Sequence, residues 1–265
     1  LHRIRRSRLN PFFSRKKVLE LEDIVQSKSK KLCLLISEKF TAGLSFDLHH
    51  ALRAISIDII TDYAFNQPYN LLDEDDLGAN FSVMMRELAS IIWIFQQWPI
   101  LRRLSLSLPD SLVAKLSSSV NSILQLRKVS AHFDLSPLNL TKYFTVQISR
   151  EQLLTVKADL DSGIARAGSR TTIFHDLLTP NAAEGYTVPP VNDLQDEVYT
   201  VIGAAAESTG NAMTVAAYHV ISNANIYQKL TEELRAEFPD PTPPLSLVVL
   251  EKLPYLVSAL IRYTG

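Results

Sequence analysis

Residues 192–223 decide how this chain is read, and their middle runs Ile202-Gly203-Ala204-Ala205-Ala206-Glu207-Ser208-Thr209-Gly210-Asn211. Pro189-Pro190 precede the stretch, Asn192 or Asp193 can cap it, Gln195 sits where a capping-box partner would, and Asn223 offers a stop. One helix from Asn192 to Asn223 follows, about 45 Å long at 1.5 Å per residue. Leu194, Val198, Val201, Ile202, Met213, Val215, Val220 and Ile221 lie on nearly all of its sides, which predicts a helix buried within a large protein. A membrane span is disfavoured, because Glu207, Ser208, Thr209 and Asn211 fall at its centre, where lipid penalises polar groups most.

The residues Gly203 to Ala206 cover a full turn without bulk, so a flat or wide group can approach the backbone there. An acid and two hydroxyls follow at once. A Ser or Thr inside a helix can bond back to the carbonyl four residues earlier, and a polar notch in a buried helix can hold water. The alternative is close helix–helix packing at the alanines, with Glu207 paired to a Lys or Arg.

Ala204-Ala205-Ala206-Glu207-Ser208-Thr209, followed by Ala217-Tyr218-His219-Val220-Ile221-Ser222-Asn223, resembles the oxygen-activation helix of the cytochrome P-450 (haem-thiolate) monooxygenases, and fungal members most closely. The family pattern is Ala/Gly-Gly-x-Asp/Glu-Thr-Thr/Ser. Ala205 replaces the usual Gly, which narrows the notch, and Ser208 stands where Thr is usual, which keeps a hydroxyl. The resemblance implies that Glu207, Ser208 and Thr209 deliver protons and that Ala204 and Ala205 face the haem.

The bulk properties leave room for this reading. With 265 residues, 46% apolar, and a net charge of −1, the chain can bury a sizeable core and is no general polyanion binder. The lone Cys33 excludes an internal disulfide, no Cys/His cluster has zinc spacing, and the neighbours His49 and His50 point to different helix faces, so no protein-ligated metal site is expected. There is no apolar run of membrane length and no secretory signal.

The first 17 residues hold Arg3, Arg5, Arg6, Arg8, Arg15, Lys16 and Lys17 and no acid. Nucleic acid, anionic lipid and a transit peptide are generic readings of such a cluster, but no nucleic-acid motif accompanies it. The string also resembles the family's early helix, where His/Trp-Arg-x-x-Arg precedes an Asn-Pro-Phe-Phe-Ser turn. There the residues matching His2 and Arg6 hold the haem propionates, a role that suits the arginine fork.

From Ser14, a candidate cap, the residues Val18, Leu21, Val25, Leu32, Leu35 or Ile36, and Phe40 predict one core-facing helix, with Cys33 inside it as a small buried or half-buried hydrophobe. The family's iron-ligating cysteine lies in a glycine-rich loop near the chain's end, so Cys33 does not match it. Asp47 to Phe65 reads as a second helix with Leu48, Leu52, Ile55, Ile59 and Tyr63 on one face, and Asp73 to Asp76 as a solvated loop. Phe81 to Trp98 is a third, ended by Pro99; with residues 111–127 it resembles the lid over the family's substrate channel.

Val129 to Gln147 has no helical period and interrupts helical sequence that resumes at Arg150 with Leu153, Leu154, Val156 and Leu160. The resemblance skips it, and it reads as an unspliced intron translated in frame. His175, within Gly168-Ser169-Arg170-Thr171-Thr172-Ile173-Phe174-His175, is expected to be structural. Asn225 and Gln228 predict a capping box for a helix to Phe238 with Ile226, Leu230 and Leu234 inward, and Pro239, Pro241, Pro243 and Pro244 a stiff loop. Leu253 to Arg262 resembles the start of the family's Glu-x-x-Arg helix. That pair itself, most β elements and the cysteine loop are not in the sequence, so 1–265 reads as a partial domain incomplete at both ends.

The resemblance implies a mainly α fold, the middle helical part of a haem-thiolate monooxygenase. It implies haem as cofactor, a lipophilic small-molecule substrate and an NADPH-dependent reductase as partners, and no nucleic acid. The full-length form is expected to associate with the endoplasmic reticulum membrane, and the chain as it stands to be inactive. The rival reading is a non-catalytic helical binding or scaffold protein with an anion- or lipid-binding N-terminus.

Overall fold

The computed structural model describes residues 9–83, 153–162, 172–181, 185–240 and 243–264, with single residues 86, 93, 97, 98, 100, 151 and 170. Of residues 192, 195, 196, 199, 206, 207 and 264 only the backbone is described. His2, Arg6, residues 111–127 and the interruption 129–147 therefore lie outside the described residues. So do most of the lid segment and the side chains of the expected caps Asn192 and Gln195.

Helices dominate. In chain order the described ones include α1 (Arg15–Glu20), α2 (Glu22–Thr41), α3 (Leu48–Phe65), α4 (Ile173–Leu178), α5 (Val191–Ser222), α6 (Ala224–Glu237), α7 (Leu247–Leu250) and α8 (Pro254–Thr264). A 3-10 turn spans Leu71–Asp73, and Asn181 and Tyr186 form an isolated antiparallel bridge. Cα packing sorts the chain into two compact units. One holds α1 to α4, α5 from residue 199 onward, and α6 to α8; the other holds the described parts of 79–165 together with 190–198.

The first unit is built around α3. Asp47 caps it by accepting the N–H of His50, and Asn66 ends it in the left-handed region at φ 54°, where Asn is tolerated. Its buried residues are Ala51, Arg53, Ala54, Ile55, Ser56, Ile57, Asp58, Thr61, Tyr63, Ala64 and Phe65. The expected face is thus too narrow: Leu48, Leu52 and Ile59 are only half-buried. Burial runs most of the way round because α2, α4, the 3-10 turn and α5 each take a side. Phe65 meets Phe174 of α4 with ring centroids 5.5 Å apart, and the Tyr63 hydroxyl donates to the carbonyl of buried Phe12 at 2.6 Å. Burial first, then the charges of Glu20 and Asp176, pushes the Tyr63 phenol up to about 12.

Asp58 is fully buried and accepts the N–H groups of Leu71 and Leu72 at 2.8 and 3.2 Å. It thereby fixes the 3-10 turn, whose exit is tight: a Cβ on Gly78, at φ +70°, would lie 3.0 Å from Leu71 Cδ1. The acidic run behind it is more than a solvated loop. Lys31 pairs with Asp73 at 2.6 Å, and Asp76 accepts the N–H of Gly78.

The helix expected after Ser14 is two, broken at Leu21, and its core face is smaller than the spacing predicts. Leu32 is buried, Leu21, Val25 and Leu35 are half-buried, and Val18, Ile36 and Phe40 are exposed. Cys33 is exposed, not buried, because it sits about 100° round the helix from Leu32, which is the side that meets α3. Beyond α5, Asn223 and not Asn225 caps α6, accepting the N–H groups of Asn225 and Ile226. Glu233 of α6 takes the first amides of α8, those of Tyr255 and Leu256, both at 2.8 Å. Arg15 grips Glu251 with both nitrogens, at 3.0 and 2.7 Å, and Lys17 pairs with Glu20, so these two members of the basic run find their anions inside the chain.

Candidate functional site

The long helix occurs one residue earlier than expected at each end, Val191–Ser222 against 192–223. The N–H groups of Asp193 and Leu194 bond the carbonyl of Pro190, so the helix is under way before Asn192 or Asp193 could cap it. Its burial is one-sided. Leu194, Val198 and Ile202, spaced four apart, are almost fully buried, whereas Val201, Met213, Val215 and Val220 are half-buried and Ile221 is 67% exposed. Among the described residues, two elements have contacts with the half from 199 onward that fix its surroundings. They are α3, and α8 through the stacked rings of His219 and Tyr263 at 4.4 Å.

Ala204, Ser208, Thr209 and Asn211 are exposed, and Ala205 is half-buried. Ala204, Ser208 and Asn211 recur at i, i+4 and i+7 and form one face. Thr209 is about 100° round from Ser208 and belongs to another. The Ser208 hydroxyl donates to the Ala204 carbonyl at 2.5 Å, the back-bonding that a mid-helix serine favours. The structure therefore joins Ala204 and Ser208, with Ala205 beside them and Thr209 turned aside. The Glu207 side chain, with His2 and Arg6, lies outside the described residues.

The side of this helix away from Ser208 is held by α3, which runs antiparallel to it. Three contacts set the register. The buried Ser56 hydroxyl donates to the Ala205 carbonyl at 2.8 Å, Gly210 lies against Arg53, and His49 Nδ1 is 3.2 Å from the Thr214 hydroxyl. Thr214 in turn donates to the Gly210 carbonyl at 2.7 Å. A Cβ on Gly210 would stand 2.6 Å from Arg53 Cγ and 3.0 Å from its Cα, so only glycine permits this approach. None of Ser56, Arg53 and Gly210 was singled out from the sequence. A signal existed, since His49, Arg53 and Ser56 form a polar i, i+4, i+7 stripe on a largely apolar helix.

His175 is structural as expected: its Nδ1 accepts the Thr172 N–H at 3.1 Å in a capping box at the start of α4. Among the described residues no three His, Cys, Asp or Glu converge as metal ligands, and no helix is long and apolar enough to cross a membrane.

Comparison with known proteins bears out the family resemblance. The family model for cytochrome P-450 matches residues 1–261. The cytochrome P-450 monooxygenase macH of Penicillium terrestre is 27% identical over 270 residues, covering 100% of this chain and 48% of that protein. The tryptophan 6-hydroxylase fscE of Fusarium equiseti is 27% identical over 261 residues, covering 97% of this chain and 46% of its own length. A crystal structure of a cytochrome P-450 superposes with a TM-score of 0.65 at 15% identity, over 96% of this chain and 47% of that one. The chain spans about half the length of the curated relatives it matches. Its helical architecture and its match over nearly all residues make it a member of the cytochrome P-450 family.

Proposed function

We propose that these residues supply the proton-delivering side of a haem-dependent monooxygenase that inserts one oxygen atom of O2 into a lipophilic small molecule. The observation that carries the reading is the Ala204–Ser208 face, exposed, without bulk, and bearing a hydroxyl one turn along. It fits a flat ring, because one methyl group separates the helix backbone at Ala204 from whatever lies on it. Bound there, haem supplies the oxygen-activating redox chemistry, with electrons from NADPH through a reductase. His2 and Arg6 are proposed to hold its propionates, and Ala205 to border it.

The Ser208 Oγ holds the proton that matters. In its resting rotamer the hydroxyl donates that proton to the Ala204 carbonyl oxygen, while its own oxygen lone pairs can accept from a donor. Rotation about the Cβ–Oγ bond turns the proton outward, and Glu207, the preceding residue, is proposed to replace it, with Thr209 as a second hydroxyl. General acid catalysis of this kind contributes about 10²–10⁴-fold. The full-length protein is proposed to work at the endoplasmic reticulum membrane.

The docking face is tested with Ala204→Trp. An indole at an exposed helix position costs under about 1 kcal/mol of stability, so the melting curve should barely move. Binding of ferric protoporphyrin, followed by quenching of intrinsic fluorescence, should weaken about tenfold or more, the loss of about 1.4 kcal/mol. Unchanged affinity would remove Ala204 from the site. The chain by itself is also proposed to be inactive, since its one cysteine, Cys33, is exposed on α2 and does not match the family's iron-ligating loop. Reduced with haem and carbon monoxide, it should lack the long-wavelength band that a thiolate ligand gives. Such a band, lost on Cys33→Ala, would overturn that assignment.

A further inference from the structure

We propose that Ser56 is a positioning residue for the Gly203–Ala206 turn, acting through the Ala205 carbonyl from the neighbouring helix α3. The proposal rests on the haem-face reading above for its functional meaning, and on the geometry alone for the coupling.

Three observations carry it. Ser56 is only 6% exposed, and its hydroxyl donates at 2.8 Å to one particular carbonyl, that of Ala205. In a continuous helix the same oxygen also accepts the N–H of Thr209. The preceding carbonyl, Ala204, takes the Ser208 hydroxyl at 2.5 Å. Two successive carbonyls of the small-residue turn thus each carry a hydroxyl, one from within the helix and one from outside it. The contact cannot slide, because Gly210 against Arg53 and Thr214 against His49 fix the register on the same side.

A carbonyl that accepts a second donor tilts away from the helix axis, and its bond within the ladder lengthens, which is how an inserted side chain bends a helix. Ser56 therefore shares the Ala205 oxygen with Thr209 and loosens the ladder at this turn. Ala205 contributes the oxygen through its backbone, so the contact does not depend on the residue type there. Loosening sits beside Ser208, whose hydroxyl must leave the Ala204 carbonyl to pass a proton. Ser56 sets how readily that turn yields, from the side that never meets the ring.

Amide hydrogen exchange on the whole chain without haem tests the coupling. In Ser56→Ala the Thr209 amide regains sole possession of the Ala205 oxygen, and its exchange should slow about fivefold, the worth of about one hydrogen bond. Amides of α3 that exchange through global opening should quicken by a similar factor, because a buried hydrogen bond is lost. Ser56→Thr, which keeps the hydroxyl, should hold both rates near wild type. A purely structural role moves all rates in one direction, as the control Thr61→Ala should. That uniform pattern in Ser56→Ala would overturn the proposal. Should Ser56→Ala fail to fold, wild-type protein labelled with 13C=18O at Ala205 decides. Its carbonyl band should lie below that of Ala216 labelled in the same way, and equal positions overturn the proposal. Adding ferric protoporphyrin to the wild type should then protect the amides of Ala204 to Ser208. Absence of protection alongside the Thr209 signature would sink the haem-face reading and leave the coupling intact.

Discussion

Asp58→Ala is expected to cost about 3–5 kcal/mol, enough to unfold a marginal domain. Asp58 has no exposed surface, and its two oxygens are the partners of the Leu71 and Leu72 amides. Truncation leaves both N–H groups buried and unanswered. Leu71 and Leu72 are themselves almost fully buried, so water cannot take the place of the carboxylate without opening the turn. Asp58→Asn should cost less, about 1–3 kcal/mol, because its one oxygen keeps one amide while its NH2 faces the other.

The pH dependence separates these causes. Burial, the largest influence, pushes the Asp58 carboxyl above its ordinary value, against the two backbone N–H groups and the charges of Lys28 and Lys31. A carboxyl whose folded pKa is raised takes up its proton in the native state first as pH falls. The stability this contributes is complete below the unfolded pKa and is lost as pH rises through the folded one. The gap between wild type and Asp58→Asn, measured by urea unfolding, should therefore be wider near about pH 4 than near about pH 7. A gap that narrows on acidification would mean that the carboxylate's hydrogen bonds outweigh its burial.

Elements were legible in this sequence where local chemistry alone decides them. Asp47 before an apolar helix gave the start of α3, and the run between Pro190 and Asn223 gave α5 to within a residue. Burial was less legible, because it depends on which neighbours the topology supplies. Periodicity counts apolar groups, so it missed Arg53 and Asp58, which are buried because partners satisfy or enclose them. It overvalued Val18, Ile36 and Phe40, whose spacing is right but which are exposed. In the site, the Ala204–Ser208 relation follows from a separation of four residues and could be read directly. Ser56 lies 149 positions from Ala205, and no local pattern links them. The polar stripe His49, Arg53 and Ser56 was visible, but only the fold shows that it meets the long helix.

Gly210→Ala should destabilise the chain by about 1–2 kcal/mol, although alanine is the better helix former by about 1 kcal/mol. On an exposed helix surface the substitution would stabilise. Here the new methyl would lie 2.6 Å from Arg53 Cγ, 3.3 Å from its Cβ and 3.0 Å from its Cα. The first atom belongs to a side chain that could swing, but Arg53 is 5% exposed and has little room. The Cα belongs to the α3 backbone and cannot yield without moving the helix. Gly210→Val, with two further methyls, should cost about 3 kcal/mol by the same overpacking. The two helices relieve the clash by separating, and separation draws Ser56 from the Ala205 carbonyl and His49 from Thr214, contacts of 2.8 and 3.2 Å that have no slack to lose. Both glycine variants should therefore change Thr209 exchange in the direction of Ser56→Ala, on top of their lower stability. If urea unfolding shows Gly210→Ala to be more stable than wild type, helix propensity has won. The close approach that seats Ser56 on the long helix is then not the contact that sets its register.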